Sequence, residues 1–301
     1  MNLSLFTLYE RDYHLGVAAL INSAIQCGFR GRIFIFYRDQ LPPWFSSQID
    51  ESLQKAGLQL VFELCNPARH LGYHKPFAAR EILARHPDLD GVVYADPDIT
   101  FSAPWAFFEK WVAGGVALCL DCNFPWIPKN HPWRLEWRSL AERAGLTVRQ
   151  EPTEYVNSGF FALRSADREF LDHWIEGTLQ FEKEGGDTTR FAMEKRPCAI
   201  AGDQDLLAAS LHAASAQPAY LGQEGMGFNG HHMIMSHAVE TPKPWRACFF
   251  RQALQGRKPT IAAKMWLRHA RYPIPAISSF ARLRKKVDLS AGLAISRIWK
   301  S

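Results

Sequence analysis

Asp96 and Asp98 close the apolar run Gly91-Val92-Val93-Tyr94-Ala95, with only Pro97 between them. In an extended backbone, residues two apart face the same side, so the two carboxylates can grip one hard divalent cation and, through it, a phosphate. Asp-Pro-Asp is also an ordinary polar turn at the end of a strand. Three further segments shift the balance towards chemistry: Asn157-Ser158-Gly159, Asp203-Gln204-Asp205, and Ser236-His237-Ala238-Val239-Glu240-Thr241-Pro242-Lys243-Pro244-Trp245, which offers an imidazole and a lysine six positions apart.

The elements that must position these groups alternate along the chain. Strand-like runs Leu3–Leu8, Arg32–Tyr37, Leu58–Phe62, Gly91–Ala95 and Val116–Asp121 are separated by helical patterns at Leu15–Cys27, Trp44–Ala56, Pro76–Ala84 and Pro104–Val112. Short apolar strands alternating with amphipathic helices predict an α/β fold, a mostly parallel sheet covered on both faces. Ligands of such sheets lie beyond the carboxyl ends of the strands, where Asp96, Asp98 and Asp121 fall. The segment from Asn123 to Glu154, rich in Pro, Trp and Arg, reads as an inserted surface region. A strand is expected over Tyr155–Leu163, a helix over Ala166–Gly177, a mobile loop around Gly185-Gly186 within 182–196, a helix from Asp203 to Ala214, and a last strand over Met233–His237.

The 301 residues are 47% hydrophobic and 13% aromatic, enough for one large domain or two smaller ones. Cys119 and Cys122 form a C-x-x-C inside an apolar run, but no second pair completes a zinc site, so the six cysteines read as reduced thiols. With no basic signal-like start and no long apolar stretch, the expected location is cytoplasmic. The net charge of +5 is uneven: residues 251–301 hold twelve Lys or Arg against Asp288 alone, a net +11, leaving −6 for the first 250 residues. A mildly acidic body, 1–250, with a basic helical tail, 251–301, points to an anionic partner for the tail.

The four motifs, in this order and spacing, resemble the GT-A-fold nucleotide-sugar glycosyltransferases, most closely family 8, which includes bacterial lipo-oligosaccharide galactosyltransferases and glycogenins. That family carries a D-x-D after an apolar strand, an N-S-G strand, a D-Q-D helix start and H-x-x-G-x-x-K-P-W near the end. Here Glu240 stands at the glycine position of the last motif and Pro97 fills the middle of the first. The resemblance covers roughly residues 1–250. It implies a Rossmann-like GT-A fold and a hexosyltransferase that uses a UDP-sugar, with retention, on a glycan or glycolipid acceptor of the lipopolysaccharide type.

The resemblance and the chemistry of the residues together give each a role. Asp96, Asp98 and His237 would hold a divalent ion, Mn²⁺ or Mg²⁺, the imidazole tilting the choice towards Mn²⁺. The bland alternative for a lone His is a core residue. Lys243 would be a point charge on the diphosphate and Lys75, ahead of its helix, a second; a solvated surface lysine is as natural a reading of Lys75. At the exit of the first strand, Tyr9 or Tyr13 would stack on the uracil, and Asp12 would accept from its ring nitrogen or the ribose. Gln204 and Asp203 match the positions beneath the anomeric carbon. A glutamine is a poor nucleophile, so Gln204 suits a front-face displacement by stabilising positive charge, while Asp203, Asp121 and Asn157 fix sugar hydroxyls. Asp203 can be a helix N-cap at the same time. Trp126 and Trp133 suit the apolar faces of an acceptor sugar, with buried packing the equal alternative.

Two rival readings remain. A sugar nucleotidyltransferase would need a glycine-rich loop after the first strand, where only Gly16 occurs. The other is a nucleotide-sugar-binding protein of the membrane surface without catalysis. For the tail, Lys264, Arg268 and Arg271 beside Met265, Trp266, Leu267 and Tyr272, then Ile277, Phe280, Leu283 and Val287 beside Arg282, Arg284, Lys285 and Lys286, suit helices lying on an anionic membrane. The interleaved aliphatics favour lipid over nucleic acid, which is not an expected partner. The enzyme would then sit peripherally on the inner face of the membrane.

Overall fold

A computed structural model describes residues 1–191, 199–229 and 234–298. Its main sheet has seven strands in the order β3-β2-β1-β4-β7-β6-β8. These are β1 (Leu3–Tyr9), β2 (Gly31–Tyr37), β3 (Leu58–Leu64), β4 (Gly91–Ala95), β6 (Val116–Leu120), β7 (Val156–Arg164) and β8 (Pro218–Leu221). β7 runs antiparallel to both its neighbours, and every other pair is parallel. Two short strands, β5 (Ile99–Phe101) and β9 (Met235–His237), form a separate antiparallel ribbon that pairs Ile99 with His237. That pairing brings the distant imidazole to the carboxylates. Met233, part of the expected last strand, and residues 192–196 of the expected loop lie outside the described residues.

Helices cover both faces. On one lie α1 (His14–Gln26), α2 (Ser47–Lys55) and α4 (Trp105–Ala113); on the other α3 (Leu71–Arg85), α5 (Pro132–Arg143), α6 (Glu169–Lys183) and α7 (Asp203–Ala213). The core strands carry apolar side chains on both sides, as a doubly covered sheet requires. Helix α3 begins well before Pro76, the proline at which the sequence suggested a start. The His70 side chain accepts from Gly72 N at 3.1 Å and caps the end, so the helix tolerates the proline in its second turn. The segment 123–154 is only partly surface, because α5 buries Trp137, Leu140 and Ala141, with Trp137 stacked on Tyr155.

The largest departure from expectation is at residue 250, which is no boundary in the packing. Past α8 (Phe249–Leu254), α9 (Ile261–His269) buries Met265 and packs Ala263, Trp266 and Leu267 into the same core as α1 and β5. Trp266 Nε1 donates to Leu15 O at 3.1 Å. Buried Asn22 of α1 donates to His269 O and Ile274 O and accepts from Ile274 N, at 2.7–2.9 Å. Of the apolar residues that suggested membrane contact in 261–276, Met265, Trp266 and Leu267 are buried and Tyr272 is exposed. Beyond it, α10 (Ser279–Ile298) exposes Phe280, Leu283, Val287 and Ile298.

A chain truncated after Phe250 is therefore expected to lose its cooperative thermal transition. Asn22→Ala, which strands three buried hydrogen-bonding groups, should lower unfolding free energy by about 3 kcal/mol in urea titrations. Burial lowers the imidazoles of His212, in α7, and His269, in α9, to about 4. Their folded pKa lies below the unfolded 6.5, so each costs nothing above pH 6.5 and destabilises as pH falls from 6.5 towards 4. Stability should drop over that window, by at most about 3 kcal/mol per histidine. His269→Leu should flatten the drop relative to the unmodified chain; parallel pH profiles would refute the assignment.

Candidate active site

Asp96 and Asp98 do not sit on an extended strand. They flank the turn between β4 and β5, closed by Ile99 N donating to Asp96 O at 3.0 Å. The turn still points both carboxylates to one place, where ligand atoms of Asp96, Asp98 and His237 lie within 4.8 Å of one another. His237 Nε2 is 3.2 Å from Asp98 Oδ1 and 3.6 Å from Asp96 Oδ2. Asp98 Oδ1 is buried and takes part in no hydrogen bond, as is His237 Nδ1. A buried carboxylate oxygen without a hydrogen-bond partner, 3.2 Å from the imidazole Nε2, fits a site for a shared cation, and two carboxylates with an imidazole are a donor set suited to a transition ion.

The turn is seated by residues that lack side chains. A Cβ on Gly16 of α1 would stand 2.1 Å from Pro97 O, and one on Gly159 of β7 would stand 2.4 Å from His237 Cε1 and 2.9 Å from Asp96 Oδ2. Both glycines are needed for close approach rather than for backbone freedom. Tyr94, two residues before Asp96 on the same face of β4, donates its hydroxyl to Asp96 Oδ1 at 2.5 Å. Its spacing from Asp96 was the available signal for this role.

Lys75 is neither ahead of its helix nor solvated. It is 4% exposed in the middle of α3, with Nζ 2.8 Å from Asp203 Oδ2, 3.3 Å from Asp96 Oδ1, and donating to Ser158 O at 3.0 Å. Burial would lower this ammonium's pKa, and the two carboxylates outweigh it, so the group is held charged. Lys243 lies 2.6 Å from Asp98 Oδ2 and donates to Ala238 O at 2.7 Å. Burial pushes Asp98 upward, but His237 and Lys243 beside it win and hold its carboxyl well below the usual range.

A cavity of about 480 Å³ opens over this cluster and extends to the exit of β1 and the start of α3, with Tyr13, Arg11, His70, Phe191 and Arg246 in its walls. Tyr13 borders it, edge-on to Trp245 and 6.0 Å from Lys243 Nζ. Tyr9 also lines the cavity, but its ring packs on Tyr37 and its hydroxyl donates to Gln40 O, whereas Tyr13 is the less buried of the two. Asp12 is a correction: Trp245 Nε1 and the Arg246 guanidinium both donate to its carboxylate, which ties the β1 exit to the 243–246 segment instead of facing a ligand. Arg11, absent from the sequence reading, lines the cavity at φ 53°, a left-handed conformation uncommon for a residue with a side chain.

Asp121, Asn157 and Gln204 meet in a second cluster beside the first. Gln204 Nε2 donates to Asp121 Oδ2 at 3.0 Å, Asn157 Nδ2 reaches the same oxygen at 3.5 Å, and Gln204 Oε1 accepts from Ser158 N at 3.3 Å. The clusters join through Asp203, which pairs with Lys75. Asp203 is the first residue of α7 and is not its cap. Asp205 caps the helix, accepting from Ala201 N at 2.6 Å and Gly202 N at 3.1 Å. Asp121 Oδ1 also accepts from Asn123 N and Phe124 N, anchoring the chain that leads to Trp126. Trp126 is 60% exposed, whereas Trp133 is partly buried against Phe124 and His131.

No protein-family model matches the sequence, and no curated protein is similar to it at the sequence level. Similarity appears in three dimensions. The glycosyltransferase GlyE of Streptococcus pneumoniae TIGR4 superimposes with a TM-score of 0.54 at 14% identity, over 96% of this chain and 64% of GlyE. The bifunctional glycosyltransferase WbbM gives 0.54 at 13% identity, over 96% of this chain and 52% of WbbM. An active-site mutant of LgtC gives 0.52 at 14% identity, over 93% of this chain and 99% of LgtC. This chain thus spans a little over half to two thirds of the first two and nearly all of the third. The sheet order, the ribbon that carries His237 and these superpositions establish the GT-A fold found in glycosyltransferases.

Proposed function

We propose that this chain transfers a hexose from a UDP-sugar to a glycan or glycolipid acceptor, with retention, and that it requires a divalent cation. The observation that carries the reading is the convergence of Asp96, Asp98 and His237 at the floor of the cavity, with Lys243 beside them. A fold shared with glycosyltransferases supports it, and so does LgtC, in which an active-site glutamine has been exchanged for glutamate; Gln204 is the glutamine to which we give the corresponding role here. Asp96, Asp98 and His237 would hold Mn²⁺ or Mg²⁺, which when bound would supply Lewis-acid stabilisation of the leaving diphosphate.

The remaining work falls to the chain's own side chains. Tyr13 offers a face to the base. Lys243, once exchanged from Asp98, neutralises diphosphate oxygens. Lys75 holds Asp203 and Asp96 in place. Asp121 and Asn157 orient sugar hydroxyls. Gln204 is held at both ends of its amide, and its carbonyl oxygen keeps a lone pair for the positive charge that develops at the anomeric carbon. The exposed face of Trp126 suits an acceptor sugar, with the Gly185-Gly186 turn a candidate cover over the donor. A glycolipid acceptor would be met at an anionic membrane surface. The nucleotidyltransferase reading gains nothing from the structure: Arg11, not a glycine-rich loop, follows β1.

UDP release from UDP-galactose or UDP-glucose with a sugar acceptor should require Mn²⁺ or Mg²⁺ and stop in EDTA; undiminished turnover in chelator refutes the metal assignment. In calorimetry, Asp96→Asn, Asp98→Asn and His237→Gln should each weaken Mn²⁺-dependent UDP binding by about tenfold or more while the folded circular-dichroism spectrum is kept. Lys75→Met should behave differently, because it strands two carboxylates. Both stability, by about 3–5 kcal/mol, and turnover are expected to fall, and a fully stable Lys75→Met protein would contradict the pairing drawn above.

A further inference from the structure

Helix α10 has three distinct faces. The inner face docks on α8: a Cβ on Gly292 would stand 2.7 Å from Phe249 O, and the Asp288 carboxylate accepts from Phe249 N and Phe250 N at 2.9 Å. The outer face carries Phe280, Leu283 and Val287, at i, i+3 and i+7, which are 72%, 60% and 63% exposed. Between these faces, α10 and α9 enclose a groove of about 450 Å³ lined by Lys264 and Arg268 of α9 and Arg282 and Lys286 of α10, with Leu267 and Leu289 at its base. None of the four cations is ion-paired among the described residues.

Both features are costly unless something covers them. Four like charges from two helices repel across the groove. An exposed apolar stripe beside them is a typical sign of an interaction surface. An anionic headgroup over the groove, with acyl chains against the stripe, satisfies both at once, because the two features adjoin along one helix. A folded acidic protein would meet the charges but is not called for by a stripe one helix wide, and nucleic acid has no use for the stripe.

We propose that the α9–α10 groove is a binding site for the phosphate of an anionic lipid headgroup, with Phe280, Leu283 and Val287 entering the acyl boundary beside it. The proposal rests on the membrane-surface part of the reading above and is independent of the sugar donor. It narrows that reading to two helices and four cations. Lys264 and Arg268 take part from a helix whose apolar side is in the core, so the site is held rigid by the domain.

Co-sedimentation of the full chain with phosphatidylcholine vesicles, with and without phosphatidylglycerol, tests it. Arg282→Gln with Lys286→Gln removes two groove charges; Arg284→Gln with Arg297→Gln removes two from the same helix outside the groove. The groove pair is expected to reduce partitioning onto phosphatidylglycerol vesicles about tenfold or more and the outer pair no more than about threefold. Equal losses would mean a diffuse charge effect and overturn the site, as would failure of the unmodified chain to bind. Leu283→Ser with Val287→Ser should weaken vesicle binding while leaving the groove's response to glycerol phosphate, followed by NMR, unchanged. Inorganic phosphate that saturates the groove at concentrations too low to matter for vesicles, or a DNA duplex that binds more tightly than vesicles at equal ionic strength, would overturn lipid as the occupant. Every variant should melt as the unmodified chain does, since none of the substituted residues is in the core. UDP release with a soluble acceptor should persist in all three, so loss of the groove and loss of the glycosyltransferase reading give different results.

Discussion

Buried charge balance organises this molecule. Asp96, Asp98 and Asp203 converge where the sheet ends, two of them less than a tenth exposed, and two such carboxylates about 4 Å apart repel by roughly 4 kcal/mol at the effective dielectric of a protein interior. Lys75 and Lys243 offset that repulsion, but from different supports. Lys75 stands in mid-helix with a third bond to the Ser158 carbonyl, whereas Lys243 is carried on an irregular segment beyond β9. A cation held by Asp96, Asp98 and His237 would compete with Lys243 for Asp98 and with Lys75 for Asp96, but Lys75 would keep Asp203 and the Ser158 carbonyl. Lys243, released, would then face the cavity that the proposed reaction assigns to the diphosphate, so cation and phosphate binding would favour each other through one side chain.

The constraint on shape follows from the constraint on charge. For three carboxylates and an imidazole to come within ion-pairing distance, backbone must approach backbone, and Gly16 and Gly159 are where it does. Alanine at Gly159 would strike His237 Cε1 and Asp96 at once. The antiparallel β7 between β4 and β6 then has a reason in the site: it brings Asn157, Ser158 and Gly159 alongside the β4 terminus, so that one strand supplies the amide that reaches Asp121, the carbonyl that holds Lys75 and the empty space beneath the imidazole.

The sheet was legible because a doubly covered parallel strand has only one simple pattern, a short apolar run, and β1 to β4 follow it closely. The candidate site was legible in its residue types, since chemistry fixes those, but less so in its pairings. Asp12 and Lys75 are polar residues near the cleft, and nothing in their spacing distinguishes a ligand contact from an internal clamp; the partners, Arg246 and Asp203, lie 234 and 128 positions away. Helix α5 hid behind its prolines, although Pro132 in fact begins it.

The C-terminal fifty residues show how one sequence property can serve two environments. Trp266 and Met265 among basic residues have the composition of an interfacial helix, as do Phe280 and Leu283, yet the first pair is buried in the core and Phe280 and Leu283 are exposed. What separates them is the partner: α9 lies against α1 and β5, while α10 docks on α8 and borders α9 and leaves Phe280, Leu283 and Val287 exposed. Helix α10 is nonetheless joined to the cleft. Lys285 Nζ donates to Ala247 O at 2.5 Å, and Ala247 N donates to Lys243 O at 2.9 Å, so two hydrogen bonds lead from the basic helix to the backbone of the lysine that guards Asp98. A surface that pulled on α10 would act first on the segment bearing Lys243, which is the part of the cleft least fixed by the sheet.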